Sequence, residues 1–155
     1  LSKESREEKR EITINELLIR ASQLRDYLSL LSTQIENYTA QATELQLILN
    51  TIDSLPESEA SVLMVLDRLN TVFIPAKIAS NWSNELIVNI GRNYYIKTNK
   101  EKARELVSKR LDLVRRILDD LRRRYQTALN EYNAIQQVLA SVYTQISTRQ
   151  ELGKQ

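Results

Sequence analysis

Two long stretches of this sequence repeat an apolar residue at alternating steps of three and four, and the stretch between them does not. In the first the apolar positions are Ile14, Leu17, Ala21, Leu24, Leu28, Leu31, Ile35, Tyr38, Ala42, Leu45, Leu49 and Ile52. In the second they are Val107, Leu111, Val114, Leu118, Leu121, Tyr125, Ala128, Tyr132, Ile135, Leu139, Val142 and Ile146. Such steps keep one stripe of a helix turned toward a partner helix in a left-handed coiled coil. The spacing predicts a first helix over about residues 7–54 and a second over about 99–151. Leu55-Pro56 ends the first, because proline lacks an N–H and disfavours helical geometry in the residue before it. Asn99 is the expected N-cap of the second, Glu101 suits its positive end, and Gly153 is its expected stop.

Across residues 61–98 the apolar period becomes strand-like. Val62 to Leu66 is a short apolar run, and Asp67-Arg68-Leu69-Asn70 is a polar turn. Thr71 to Ile74 is extended, and Pro75 confines that strand to an edge or a bulge. After a polar loop carrying Trp82 come Leu86 to Ile90, the turn Gly91-Arg92-Asn93, and the β-branched and aromatic run Tyr94 to Thr98. The reading is two β-hairpins in series. One chain satisfies both apolar stripes if the helices fold back antiparallel, with the hairpins at one end and the chain termini at the other. Isolated hairpins are marginal in water and leave open edges, so assembly with other subunits through the β-segment is expected. Its candidate residues are Val62, Met64, Val72, Ile74, Leu86, Val88, Ile90, Tyr94 and Ile96.

Composition narrows the chemistry. The chain has 155 residues, enough for one domain over 1–155, and is 42% hydrophobic with two glycines and two prolines. Cysteine and histidine are both absent, which removes disulfides, thiolate chemistry and the commonest metal ligand and general base. No phosphate-binding loop is present, so neither an enzyme nor a cofactor or metal site is expected. The net charge is only +2, and no apolar run approaches the roughly 20 residues of a membrane span. The start Leu1-Ser2-Lys3-Glu4 does not read as a signal peptide, so a soluble, cytoplasmic protein is expected.

At Val72-Phe73-Ile74-Pro75-Ala76-Lys77-Ile78 and Leu86-Ile87-Val88-Asn89-Ile90-Gly91-Arg92-Asn93-Tyr94-Tyr95-Ile96 the chain resembles a prefoldin alpha-type subunit of the archaeal-like, two-hairpin class. The family pattern there is a strand reaching a VP-x-K-I corner and then V-L-V-D-I-G-T-G-Y-Y-V-E. Gly91, Tyr94 and Tyr95 fall where that pattern has them, while Asn89 replaces its aspartate and Asn93 its second glycine. The resemblance implies a mainly α fold: a long antiparallel coiled coil whose two central hairpins join an oligomeric β-barrel. It implies a hetero-hexamer of two alpha and four beta subunits. Its function would be that of an ATP-independent holdase, which binds non-native polypeptides at coiled-coil tips and passes them to a group II chaperonin.

The residues near the expected free end agree with such a tip. From Thr127 to Thr148 the sole charged residue is Glu131, whereas Lys100 to Arg124 is dense in charge of both signs. Off the stripe this region carries Leu18, Ile19, Leu129, Val138 and Tyr143, and a two-stranded coiled coil cannot bury them all. With Ile12, Leu139, Val142 and Ile146 they form the candidate client-binding set. The competing reading is that these residues widen the stripe for stability. In a competing functional class the chain is a structural coiled-coil assembly or filament protein without clients. Nucleic acid is disfavoured, because Asp112, Asp119 and Asp120 interrupt Lys109-Arg110, Arg115-Arg116 and Arg122-Arg123-Arg124.

Overall fold

A computed structural model describes residues 13–152 of the chain. The expected helix start near residue 7, the candidate Ile12 and the expected stop Gly153 lie outside the described residues. In chain order the elements are α1 (Ile14–Ser54), β1 (Ala60–Val65), β2 (Phe73–Ile78), a short 3-10 turn (Trp82–Asn84), β3 (Leu86–Gly91), β4 (Tyr94–Thr98) and α2 (Lys100–Leu152). The fold is therefore mainly α, with two long helices and two small antiparallel hairpins.

Local chemistry sets the helix ends. Thr13 and Glu16 form a reciprocal capping box: the Thr13 Oγ1 accepts from the Glu16 N–H at 3.2 Å, and the Glu16 carboxylate accepts from the Thr13 N–H at 2.9 Å. α1 runs to Ser54, and Leu55 still donates its N–H to the Thr51 carbonyl before Pro56. α2 opens on Asn99, whose Oδ1 accepts from the Lys102 N–H at 2.9 Å. Charge then supports its first turns, where Glu105 bonds both Lys102 and Lys109. Those two ammonium groups hold the Glu105 carboxyl down to about 2.

Burial follows the apolar stripe. Ala21, Leu24, Leu31 and Ile52 on α1 are buried, as are Leu111, Val114, Leu118, Leu121, Ala128, Ile135 and Leu139 on α2. The remaining stripe positions are half-buried, apart from the exposed Ile14 and Ile146 at the two ends. The stripe on α2 also reaches one step further back than the apolar spacing suggested, to Ala103, which is only 1% exposed.

The chain divides into two compact units. The terminal unit comprises Leu1–Asn37 and Leu118–Gln155, and the hairpin unit Tyr38–Ile117. Within the hairpin unit α1 and α2 run antiparallel. Arg104 grips Asp53 with an Nη2–Oδ2 hydrogen bond at 3.0 Å and an ion-pair contact from Nε to Oδ1 at 2.7 Å, and Arg115 donates to the Gln46 Oε1 at 3.1 Å. β1 pairs with β2 from Ala60↔Ile78 to Val65↔Phe73. β3 pairs with β4 from Leu86↔Thr98 to Gly91↔Tyr94, with a bulge between Asn89 and Gly91. The bulge and the two-residue turn after it place Gly91 (φ 114°), Arg92 (φ 48°) and Asn93 (φ 62°) at positive φ. Glycine and asparagine adopt it readily, arginine less so. Asn89 steadies the corner, its Oδ1 accepting from the Gly91 N–H at 2.7 Å.

Candidate functional site

In the terminal unit, Ala21, Leu24, Ala128, Ile135 and Leu139 form one buried cluster, flanked by Leu17, Leu28 and Tyr132. The pairing of low numbers on α1 with high numbers on α2 makes the helices antiparallel here too. A cross-helix ion pair lies on the surface, with Arg20 Nε 2.7 Å from Glu131 Oε1. The hydrogen bond between them lowers the Glu131 carboxyl and raises the Arg20 guanidinium. Glu131 is the sole charged residue from Thr127 to Thr148, so its one charge is already engaged within the unit. Beside this pair lie two open grooves. One, of about 530 Å³, includes Leu24, Tyr27 and Ala128 in its lining, and the other, of about 640 Å³, includes Leu17, Ile135 and Val138.

The surface around the grooves is less polar than its composition suggests. Thr127, Thr144, Ser147 and Thr148 each donate the side-chain hydroxyl to the carbonyl four residues back, at 3.0–3.1 Å. Ser141 does the same to Val138, three residues back, at 2.8 Å. Among these self-satisfied hydroxyls Leu18, Ile19, Val138, Tyr143 and Ile146 stand exposed, Ile19 by 51% and Tyr143 by 54%. Tyr27, Leu30 and Ile14 add to the exposed apolar surface of the same unit. Exposed apolar side chains of this kind suit weak, non-directional capture of other apolar side chains.

The remaining members of the expected set sit differently. Leu139 is 4% exposed and belongs to the core cluster, while Leu129 and Val142 are half-buried. Their positions on or beside the stripe turn them toward the partner helix. Tyr27 and Leu30 lie further along α1 than Leu18 and Ile19 and were not among the residues the sequence singled out.

The hairpin unit offers a second apolar surface. Val62, Leu86, Val88 and Ile96 are half-buried, whereas Met64, Val72, Ile74, Ile90 and Tyr94 are exposed. Val72 precedes β2 rather than lying within it. The candidates Val62, Met64 and Ile74 lie on one face of the first hairpin. The other face is apolar as well: Leu63 is 68% exposed, and Val65 and Phe73 beside it are open. A strand apolar on both faces gives a continuous run rather than an alternation, and that continuity in Val62 to Leu66 was the available signal.

Two polar devices hold this unit in shape. Asp67 accepts from the N–H groups of Leu69, Thr71 and Val72 and from the Thr71 hydroxyl, at 2.6–3.2 Å, and so ties the tip of the first hairpin. Led by the Thr71 hydroxyl, these bonds hold its carboxyl down to about 2. Trp82 clasps the base of the hairpins, its Nε1 donating to the Pro56 carbonyl at 2.7 Å while the Lys100 ammonium lies 5.4 Å from its ring centre. That side chain thereby ties together the end of α1, the inter-hairpin loop and the start of α2.

Among the described residues no group of three or more histidine, cysteine, aspartate or glutamate side chains is placed to hold a metal ion, and no helix is long and apolar enough to cross a membrane. A family model described as Prefoldin subunit matches residues 24–145. The chain is 26% identical to a protein named Prefoldin subunit alpha from Saccharolobus solfataricus, over 141 residues that cover 90% of this chain and 94% of that one. To the Prefoldin subunit alpha of Hyperthermus butylicus it is 27% identical over 132 residues, 85% of this chain and 84% of that one. A Saccharolobus islandicus protein of the same name is 24% identical over 141 residues. Helix, hairpin, hairpin and helix thus follow one another in a chain that aligns nearly end to end with alpha subunits, and the chain belongs to the prefoldin family of chaperones, as an alpha-type subunit.

Proposed function

We propose that this chain is one subunit of an ATP-independent holdase in the cytoplasm, which captures non-native polypeptides on the terminal unit of its coiled coil and passes them to a group II chaperonin. The observation that carries this reading is the exposed apolar set Leu18, Ile19, Val138, Tyr143 and Ile146, its α2 members within the stretch from Thr127 to Thr148 whose one charge, Glu131, is paired with Arg20. The chain assembles through its hairpins, in a hexamer with a second alpha subunit and four beta-type subunits. Each apolar contact is weak and reversible, and several subunits engaging one client at once supply the avidity that retains it. No catalytic step is assigned.

Light scattering of a chemically denatured enzyme, diluted into buffer with this chain and a beta-type subunit, tests the proposal. Aggregation is suppressed without nucleotide, and suppression persists or strengthens as sulfate is added, because apolar burial is favoured by excluded salts. Charge-driven capture falls steeply with salt, so loss of protection between low and moderate ionic strength contradicts the reading. Assembly without any suppression instead favours a scaffold protein with no clients.

A further inference from the structure

The two grooves of the terminal unit share the Arg20–Glu131 pair but differ in charge. The groove over Leu24, Tyr27 and Ala128 is rimmed by three guanidinium groups, those of Arg20, Arg123 and Arg124, with one carboxylate, that of Glu131. The groove over Leu17, Ile135 and Val138 has the opposite balance, with the carboxylates of Glu16 and Glu131 beside Arg20. A partner outside the lining does not cancel the excess in the first groove. Arg123 and Arg124 share one carboxylate, that of Asp120, at 3.6 and 2.7 Å. The longer of these contacts is beyond hydrogen-bond reach, and the Arg123 side chain is 79% exposed. With Arg20 engaged by Glu131, three cations meet two carboxylates, and Arg123 keeps its donors open to water.

Floor and rim select for different parts of one occupant. Leu24 and Ala128 are buried and Tyr27 is exposed, so the tyrosine ring supplies most of the accessible apolar surface. An aliphatic or aromatic side chain laid on that floor leaves water without a direction being imposed on it. A carboxylate beside the same side chain meets guanidinium N–H groups, whose planar fork matches its two oxygens. Guanidinium is also weakly hydrated, so little is lost when its water is displaced. A lysine or arginine in that place meets like charge. Two members of the run Arg122-Arg123-Arg124 thus line a groove with an apolar floor, and acidic residues interrupt the rest of the basic positions on α2. That combination suits an acidic and apolar polypeptide segment better than a nucleic acid.

We infer that this groove selects among clients: it takes segments in which an aspartate or glutamate stands beside an aliphatic or aromatic side chain, with Arg123 and Arg124 receiving the carboxylate. The inference rests on the proposed capture of non-native chains by the terminal unit. It is tested by fluorescence anisotropy, with the assembled chaperone and four short synthetic peptides that carry the same neutral fluorophore. Three share an apolar centre of leucine and phenylalanine, flanked by aspartate, by serine or by lysine. The fourth has aspartate flanks around a serine centre. At low salt the aspartate-flanked apolar peptide binds at least about threefold more tightly than the serine-flanked one, the scale of one or two exposed ion pairs, and the lysine-flanked one binds more weakly than either. The beta-type subunits are the same in every arm, so a change in these ratios is read from this chain. In Arg123→Gln/Arg124→Gln the advantage of aspartate over serine shrinks, and in Arg123→Glu/Arg124→Glu the preference moves toward the lysine peptide. Equal binding of the aspartate- and serine-flanked peptides, or a preference that neither variant alters, overturns the selectivity and leaves apolar capture standing. Binding of the serine-centred peptide as tight as that of its apolar counterpart marks a site for anions alone and overturns it too. If none of the four binds to a complex that sediments fully assembled, selectivity and capture both fail.

Discussion

At the scale of single residues, this fold is held by short polar side chains at the points where the chain changes direction. Asp67 makes the sharpest case. Its folded carboxyl is held down to about 2, below the ~3.9 of an unconstrained aspartate. The stabilisation it supplies is therefore present above about pH 4 and is lost as pH falls toward 2, where the folded form takes up its proton. Amide protection at Thr71 and Val72 is predicted to fall across that window, and in Asp67→Asn to lose this pH dependence. Asn99 caps α2 through one well-formed bond, and Asn99→Ala is predicted to cost about 0.5–2 kcal/mol in a denaturant melt. Asn99 was legible in the sequence because a capping residue stood where the strand pattern gave way to the helical one. The capping box of Thr13 and Glu16 had the same signature but went unread, since the charged residues before it offered no contrast. Trp82 was visible only as an oddity in a loop: its partners, Pro56 and Lys100, lie 26 and 18 positions away and no local pattern joins them.

At the scale of elements, the apolar spacing carried most of what the structure contains. Every interior stripe position is buried or half-buried, because a three–four alternation has one geometric solution in a helix. What the spacing did not carry was the width and the ends of the stripe. Ala103 was passed over because it stands among the charged residues Lys100, Glu101, Lys102, Arg104 and Glu105, although a small side chain is what a 1%-exposed position accepts. Leu139 entered the interaction set by its place in an uncharged region, yet the same residue is a stripe position and packs in the core. Off-stripe Leu18, Ile19, Val138 and Tyr143 did come out exposed, since two helices cannot cover the residues pointing away from their common face. Function and stability should consequently separate along the helices. Leu24→Ala and Leu118→Ala, each at a position 4% exposed, are predicted to cost about 2–5 kcal/mol in thermal or denaturant unfolding. Glu131→Gln, which removes an ion pair that is largely open to water, is predicted to shift the melt little.

At the scale of the whole molecule, each unit leaves apolar surface that the chain itself does not cover, for different reasons. On the first hairpin apolar side chains stand exposed on both faces, and each sheet has only two strands, a condition hairpins do not keep alone in water. Replacing residues 62–98 with a short turn is predicted to give helical species that no longer assemble, and sedimentation of the full complex by such a chain would count against assembly through the hairpins. On the terminal unit the exposed residues are scattered around a core complete without them. The direct measurement is aggregation suppression by the assembled chaperone carrying Leu18→Ser, Ile19→Ser, Val138→Ser and Tyr143→Ser together. Suppression is predicted to fall while melting temperature and sedimentation stay close to those of the unaltered complex. Full protection of the client by a well-folded quadruple variant would contradict apolar capture on this unit.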